Sequence, residues 1–111
     1  MTVKQLAEWA DIQVLALPDG ERTITDVYIG DLLSWVMGRA PADAVWITIM
    51  SNNNVAAVAT LADVACVILA EDVQPDAQLL ETAKQKGINL FSSQLTAYQL
   101  SVRLAELIGH E

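Results

Sequence analysis

Residues 43–72 constrain the fold of this chain more than any other stretch. They read D-A-V-W-I-T-I-M-S-N-N-N-V-A-A-V-A-T-L-A-D-V-A-C-V-I-L-A-E-D. An apolar run from Ala44 to Met50 meets four polar residues, Ser51-Asn52-Asn53-Asn54. A second apolar segment follows from Val55 to Ala62, and a third from Val64 to Ala70. The lengths and polar punctuation predict strand, loop, helix, strand. No charged residue falls between Asn52 and Ala62, so this helix is expected to be covered on most sides.

The flanking segments extend the alternation. Thr2 and Gln5 fit a capping box for a short helix to Ala10, with Val3, Leu6, Ala7 and Ala10 as its stripe. Ile12 to Leu17 reads as a strand, ended by the turn Pro18-Asp19-Gly20. Thr23 to Ile29, rich in Thr, Val and Tyr, reads as another. Asp31 is the expected N-cap of a helix that ends at Gly38, with Leu32, Leu33, Val36 and Met37 toward the core. Pro75 suits the first turn of a later helix whose buried stripe is Leu79, Leu80 and Ala83. Lys84 and Lys86 fall in its last turn, and Gly87 is the stop. Ile88 to Phe91 is a short strand, and Ser92-Ser93-Gln94 a polar loop. Thr96 and Gln99 open a final helix to about Ile108. Its stripes are Leu100, Leu104, Leu107 and Ile108, and then Tyr98, Val102 and Ala105. Gly109 is expected to end it, with His110 and Glu111 frayed.

Strands alternating with helices imply parallel pairing through right-handed crossovers. The expected fold is α/β: a single three-layer domain, residues 1–111, with a mainly parallel sheet of about four or five strands flanked by helices. Residues 1–29 form a helix-and-strand lead-in and residues 30–108 the core βα units.

The chain has 111 residues, 53% of them hydrophobic and 18% charged. That is more apolar material than one small core uses, which points to a partner surface, most simply a homodimer. Trp35, Met37, Tyr98 and Val102 are the candidate contacts. Fourteen acidic residues against six basic ones give −8. That balance argues against nucleic acid and against anionic membranes. There is no apolar window long enough to span a bilayer and no signal-like start, so a cytoplasmic protein is expected. A single cysteine, Cys66, excludes an internal disulfide and a thiolate metal cluster within one chain.

Ligands of open α/β folds bind at the edge where parallel strands end. The loops expected there hold Ser51, Asn52, Asn53 and Asn54, then Glu71 and Asp72, then Ser92 and Ser93, with Thr96 at the next helix start. Helix N-termini beside such loops favour anions, so a small anionic metabolite or nucleotide is the expected ligand. The competing reading is that Asn and Ser simply cap helices and form turns. Phosphate-binding glycine loops are absent from the sequence, as are a catalytic triad and a metal motif. Cys66 sits in an apolar run with nothing adjacent to activate it, and His110 is the only histidine. No catalytic residue, metal or cofactor is expected.

From Gly30 to Leu107 the order of segments resembles the DRTGG domain. The matching features are G-D-L-L-S-W-V-M-G, the D-A-V-W-I-T-I strand with its polar loop, A-C-V-I-L-A, and P-D-A-Q-L-L-E-T-A-K-Q-K-G-I-N-L-F-S-S-Q-L-T-A-Y-Q-L. The chain departs from the signature that names the family. Ser51-Asn52-Asn53-Asn54 stands where the Asp-Arg loop falls, and Ala70-Glu71-Asp72 where Thr-Gly-Gly falls. The resemblance implies a stand-alone α/β regulatory domain, similar to the N-terminal domain of HPr kinase/phosphorylase, that forms homodimers. The kinase activity of those proteins lies in a separate P-loop domain. The expected function is therefore a non-catalytic regulatory or protein-interaction module. The alternatives are an enzyme whose site is shared between subunits, or an accessory protein of hydrogenase or redox metabolism.

Overall fold

In the computed structural model, which describes residues 1–108, the order is α1 (Val3–Ala7), β1 (Ile12–Ala16), β2 (Asp26–Ile29), α2 (Leu33–Arg39), β3 (Ala44–Thr48), α3 (Asn54–Ala62), β4 (Cys66–Leu69), α4 (Ala77–Lys86), β5 (Leu90–Ser93) and α5 (Ala97–Ile108). The expectations for Gly109, His110 and Glu111 lie outside the described residues. The five strands form one sheet in the order β1-β5-β4-β3-β2. Strands β2 to β5 run parallel, and β1 lies antiparallel on β5.

The side-chain period of two divides the core. Trp46 of β3, Val67 and Leu69 of β4 and Leu90 of β5 join α2, α3 and α4 on one face. Val45 and Ile47, Cys66 and Ile68, and Phe91 join α1 and α5 on the other. Both faces are covered, so these central strands read as continuous apolar runs rather than as alternation. The result is the three-layer, mainly parallel α/β domain expected, with one antiparallel edge.

Local chemistry explains the element boundaries. Thr2 and Gln5 make the reciprocal capping box on α1, and Thr96 and Gln99 make one at the start of α5. Gly87 ends α4 at φ 75°, a left-handed turn that costs glycine nothing. The strand expected from Thr23 is shorter, because its first half is taken by α1. Val3 N donates to Arg22 O, and Ile24 N donates to Met1 O.

Four expectations are corrected. Ser92 and Ser93 are buried strand residues of β5, since pairing with β4 and β1 carries the strand past Phe91. Asp31 does not cap α2; Leu32 takes that position, without a side-chain cap. The Asp31 carboxylate instead accepts from Thr48 Oγ1 at 2.8 Å and Ile49 N at 3.0 Å. Leu32 and Met37 face outward, leaving Val36 as the fully buried residue of α2. Helix α3 buries Val55, Ala56, Val58, Ala59 and Ala62, but Leu61 is 69% exposed, so its outer face lies open despite carrying no charge.

Candidate functional site

The carboxyl ends of β2 to β5 place four connections along one edge of the sheet. Because β1 is antiparallel, its start at Asp11 and Ile12 joins them. This is where a ligand of an open α/β fold sits.

The β3–α3 connection is held by its own asparagines. Asn52 Oδ1 accepts from Asn54 N at 2.9 Å. Val55 N donates to Asn52 O, and Ala56 N to Asn53 O. These contacts occupy the first N–H groups of α3, the donors an anion would use. Asn53 Oδ1 is buried without a hydrogen-bond partner. Asn53 lines a groove of about 400 Å³ between α3 and α4, floored by Ala56, Ala57 and Leu61 and bordered by Thr60, Thr82 and Lys86.

The β4–α4 connection is the strained one. Glu71 and Asp72 take left-handed conformations, φ 58° and 61°. Neither is glycine, so the pair costs conformational energy. The geometry is held by the neighbouring loop: Glu71 N donates to Leu95 O at 2.9 Å and Asp72 N to Ser93 O at 2.8 Å. Asp76 N donates to Ser51 O, which joins the β4–α4 connection to the β3–α3 connection.

The two serines of β5 are satisfied within the protein. Ser92 Oγ donates to Gln13 Oε1 at 2.9 Å, and Ser93 Oγ accepts from Leu95 N at 3.1 Å. Asp72, Ser92 and Ser93 line a polar hollow of about 230 Å³ together with Asp11, Gln13 and Gln94. Arg103 holds Asp11 at 2.6 Å and stacks over the Trp9 ring. The hollow carries two carboxylates, two hydroxyls and two amides, which suit a small polar molecule offering hydrogen-bond donors.

The sequence-derived set therefore separates. Asp72, Ser92 and Ser93 meet in the hollow, and Asn53 belongs to the α3–α4 groove. Ser51, Asn52, Asn54, Glu71 and Thr96 line neither. Trp35, Met37, Tyr98 and Val102 are all exposed. However, α2 and α5 pack on opposite faces of the sheet, so the four do not form one surface.

Sequence reasoning missed several residues. Gln13 and Asp11 enter the site only because β1 pairs with β5, a long-range event. Asn89 is buried; its Nδ2 donates to Asp19 O and Ala65 O, and its Oδ1 accepts from Asp19 N. A lone amide inside the apolar run Ile88 to Phe91 was the available signal. Arg22 clamps Asp43 and Asp63. Burial lowers the Arg22 pKa, but the hydrogen bonds it donates to both carboxylates, with their charge, outweigh this and hold the guanidinium more firmly protonated than usual.

Cys66 lies wholly within the core. Desolvation pushes its thiol far above the ordinary range, and the distant positive charge of Arg22 offsets this only slightly. A thiol so placed is no nucleophile at neutral pH. Among the described residues no group of three His, Cys, Asp or Glu is placed to hold a metal ion. Nor is any helix among them long and apolar enough to cross a membrane.

Fold and edge together define a small α/β domain with loops gathered at one end of a mainly parallel sheet. The chain belongs to the DRTGG domain family, whose profile matches residues 5–107. That span runs from the middle of α1 through every strand to one residue short of the end of α5. No curated protein matches the chain.

Proposed function

We propose that this protein is a non-catalytic regulatory and protein-interaction module that works as a homodimer in the cytoplasm. The observation that carries the reading is apolar surface left over once both core faces are filled. Eleven large apolar side chains remain exposed among the described residues, Trp35, Leu61 and Tyr98 among them. Large apolar side chains exposed together on one element, as Leu32, Trp35 and Met37 are along α2 and its start, mark a protein contact. Light scattering behind size exclusion tests it, since a mass near 24 kDa, twice the 12.0 kDa chain, is expected at micromolar concentration. A strict 12 kDa particle at every concentration overturns the dimer.

The strand-edge hollow favours a second role, sensing a small metabolite. Asp11 and Asp72 repel a bare anion, so an anionic metabolite or nucleotide enters with its counter-cation. Magnesium-loaded nucleotides are expected to raise the melting temperature where metal-free nucleotides do not. Ligand at a hundred times its Kd adds about 2.7 kcal/mol. A shift that survives Asp72→Asn places the ligand elsewhere, and the α3–α4 groove between Asn53 and Lys86, which holds no carboxylate, is then the site to test. The same module would serve as an accessory to a larger partner, such as a redox enzyme, by presenting its apolar face.

A further inference from the structure

We propose that the second copy docks on the outer face of α2, the two α2 helices lying antiparallel across a two-fold axis near Trp35. The inference rests on the homodimer reading and goes further by naming the face. In this seven-residue helix only Val36 is fully buried. Leu32 at its start is 58% exposed and Trp35 is 52% exposed. Arg39 lies over the Trp35 ring at 3.8 Å and makes no ion pair among the described residues. An exposed Trp stacked with an Arg is the pairing that interface centres favour.

The spacing around Trp35 is self-complementary. Arg39 lies four residues after it and Asp31 four before. Gly38 lies three after and Leu32 three before. Asp31 and Leu32 lie just before the helix, and a two-fold axis near Trp35 brings each Arg39, on its long side chain, toward the partner's Asp31 and each Leu32 toward the partner's Gly38. Asp31 uses Oδ1 for Thr48 and Ile49, which leaves Oδ2 for a guanidinium. A Cβ built on Gly38 meets nothing within 4 Å, so the glycine leaves bare, open backbone that the leucine can approach closely. An isologous contact needs this exchange of unlike partners.

Charge singles out this face. Each copy carries −8, so two copies associate only where carboxylates are countered. The groove between β2 and α5 is lined by Val27, Ile29 and Val102 with Asp26, and among the described residues that lining holds no lysine or arginine to meet a second acidic chain. The α2 face offers one Arg39 and one Asp31 per copy, and these cancel across the axis. A specific interface takes about 800 Å² from each partner. The described chain exposes 5721 Å². One short helix does not fill that need, and its packed neighbour α3, whose exposed residues run on to the α4 groove, supplies the remainder.

Sedimentation equilibrium on the full chain and three variants tests the face. Gly38→Glu puts a charged side chain where the partner's Leu32 approaches and raises helix propensity, and Arg39→Glu reverses the ion pair. Each is expected to weaken self-association by about 30-fold, the size of a hot-spot loss, with circular dichroism unchanged. Val102→Glu, on the opposite layer, is expected to leave the dimer intact. Retention of the dimer by both α2 variants, or its loss in Val102→Glu, overturns the α2 face while the dimer stands. A monomeric parent chain overturns the dimer reading and the face with it. If Gly38→Glu alters the circular dichroism, Arg39→Glu carries the test unaided.

Discussion

At residue scale, Glu71 and Asp72 hold a left-handed backbone that glycine adopts most readily. A non-glycine residue at positive φ is disfavoured, and glycine there removes the strain at some cost in chain entropy. Glu71→Gly is expected to raise stability by about 0.5–1 kcal/mol in urea unfolding. A loss instead would mean that the Glu71 side chain contributes more than its backbone strain costs. Cys66 gives a second test. Its folded pKa is raised, so its stabilising contribution is complete below the unfolded thiol pKa and fades as pH climbs toward the folded one. Above about pH 8.5 the unfolded chain ionises first and the folded chain does not, so stability falls by up to about 1.4 kcal/mol per pH unit. Urea midpoints at several alkaline pH values should show a slope that Cys66→Ala lacks.

At element scale, the fold was legible where local signals are strong. Capping boxes, Gly87 and the apolar runs of β3 and β4 located their elements because each is decided within a few residues. The failures share a cause: they depend on pairing between distant segments. Ser92 and Ser93 look like a loop by composition, yet β1 and β4 on either side of them make the strand continue. Asp31 looks like a helix cap, yet the end of β3 claims its carboxylate. The candidate site was half legible for the same reason, since Asp72, Ser92 and Ser93 were readable but their neighbours on β1 were not. Asn89 shows how strongly such long-range bonds fix elements. Its three bonds tie the turn after β1 to the entrances of β4 and β5. Asn89→Ala strands the Asp19 N–H and two carbonyls, and about 2–3 kcal/mol is expected to be lost. Asn89→Asp keeps the shape and the acceptor but removes the donors, and it should cost at least as much. If both variants unfold at the parent urea midpoint, the latch is only incidental.

At the scale of the whole molecule, an uneven charge is spread over a well-packed core. Fourteen carboxylates face six cations, and the ion pairs of the described residues join only Arg22 and Arg103 to Asp43, Asp63 and Asp11. Most other acids sit on the surface at distances where repulsion is screened only by salt. The Debye length shrinks from about 30 Å at 0.01 M to about 3 Å at 1 M. Two effects then compete. Salt weakens the three surface ion pairs, each worth at most about 1 kcal/mol. It also removes the self-repulsion of a chain at −8, which acts over the whole surface and opposes both folding and association. The second effect involves many more charge pairs and prevails. Sodium chloride raised from 0.01 to 0.5 M is therefore expected to lift the melting temperature by a few degrees, since about 1 kcal/mol moves a domain of this size by roughly 4 °C. It should also tighten self-association, because each copy brings its own −8 to the contact. Melts at fixed low protein concentration isolate the first term, and sedimentation at two salt concentrations isolates the second. A melting temperature that falls with salt would mean that the Arg22 and Arg103 clusters outweigh the net charge.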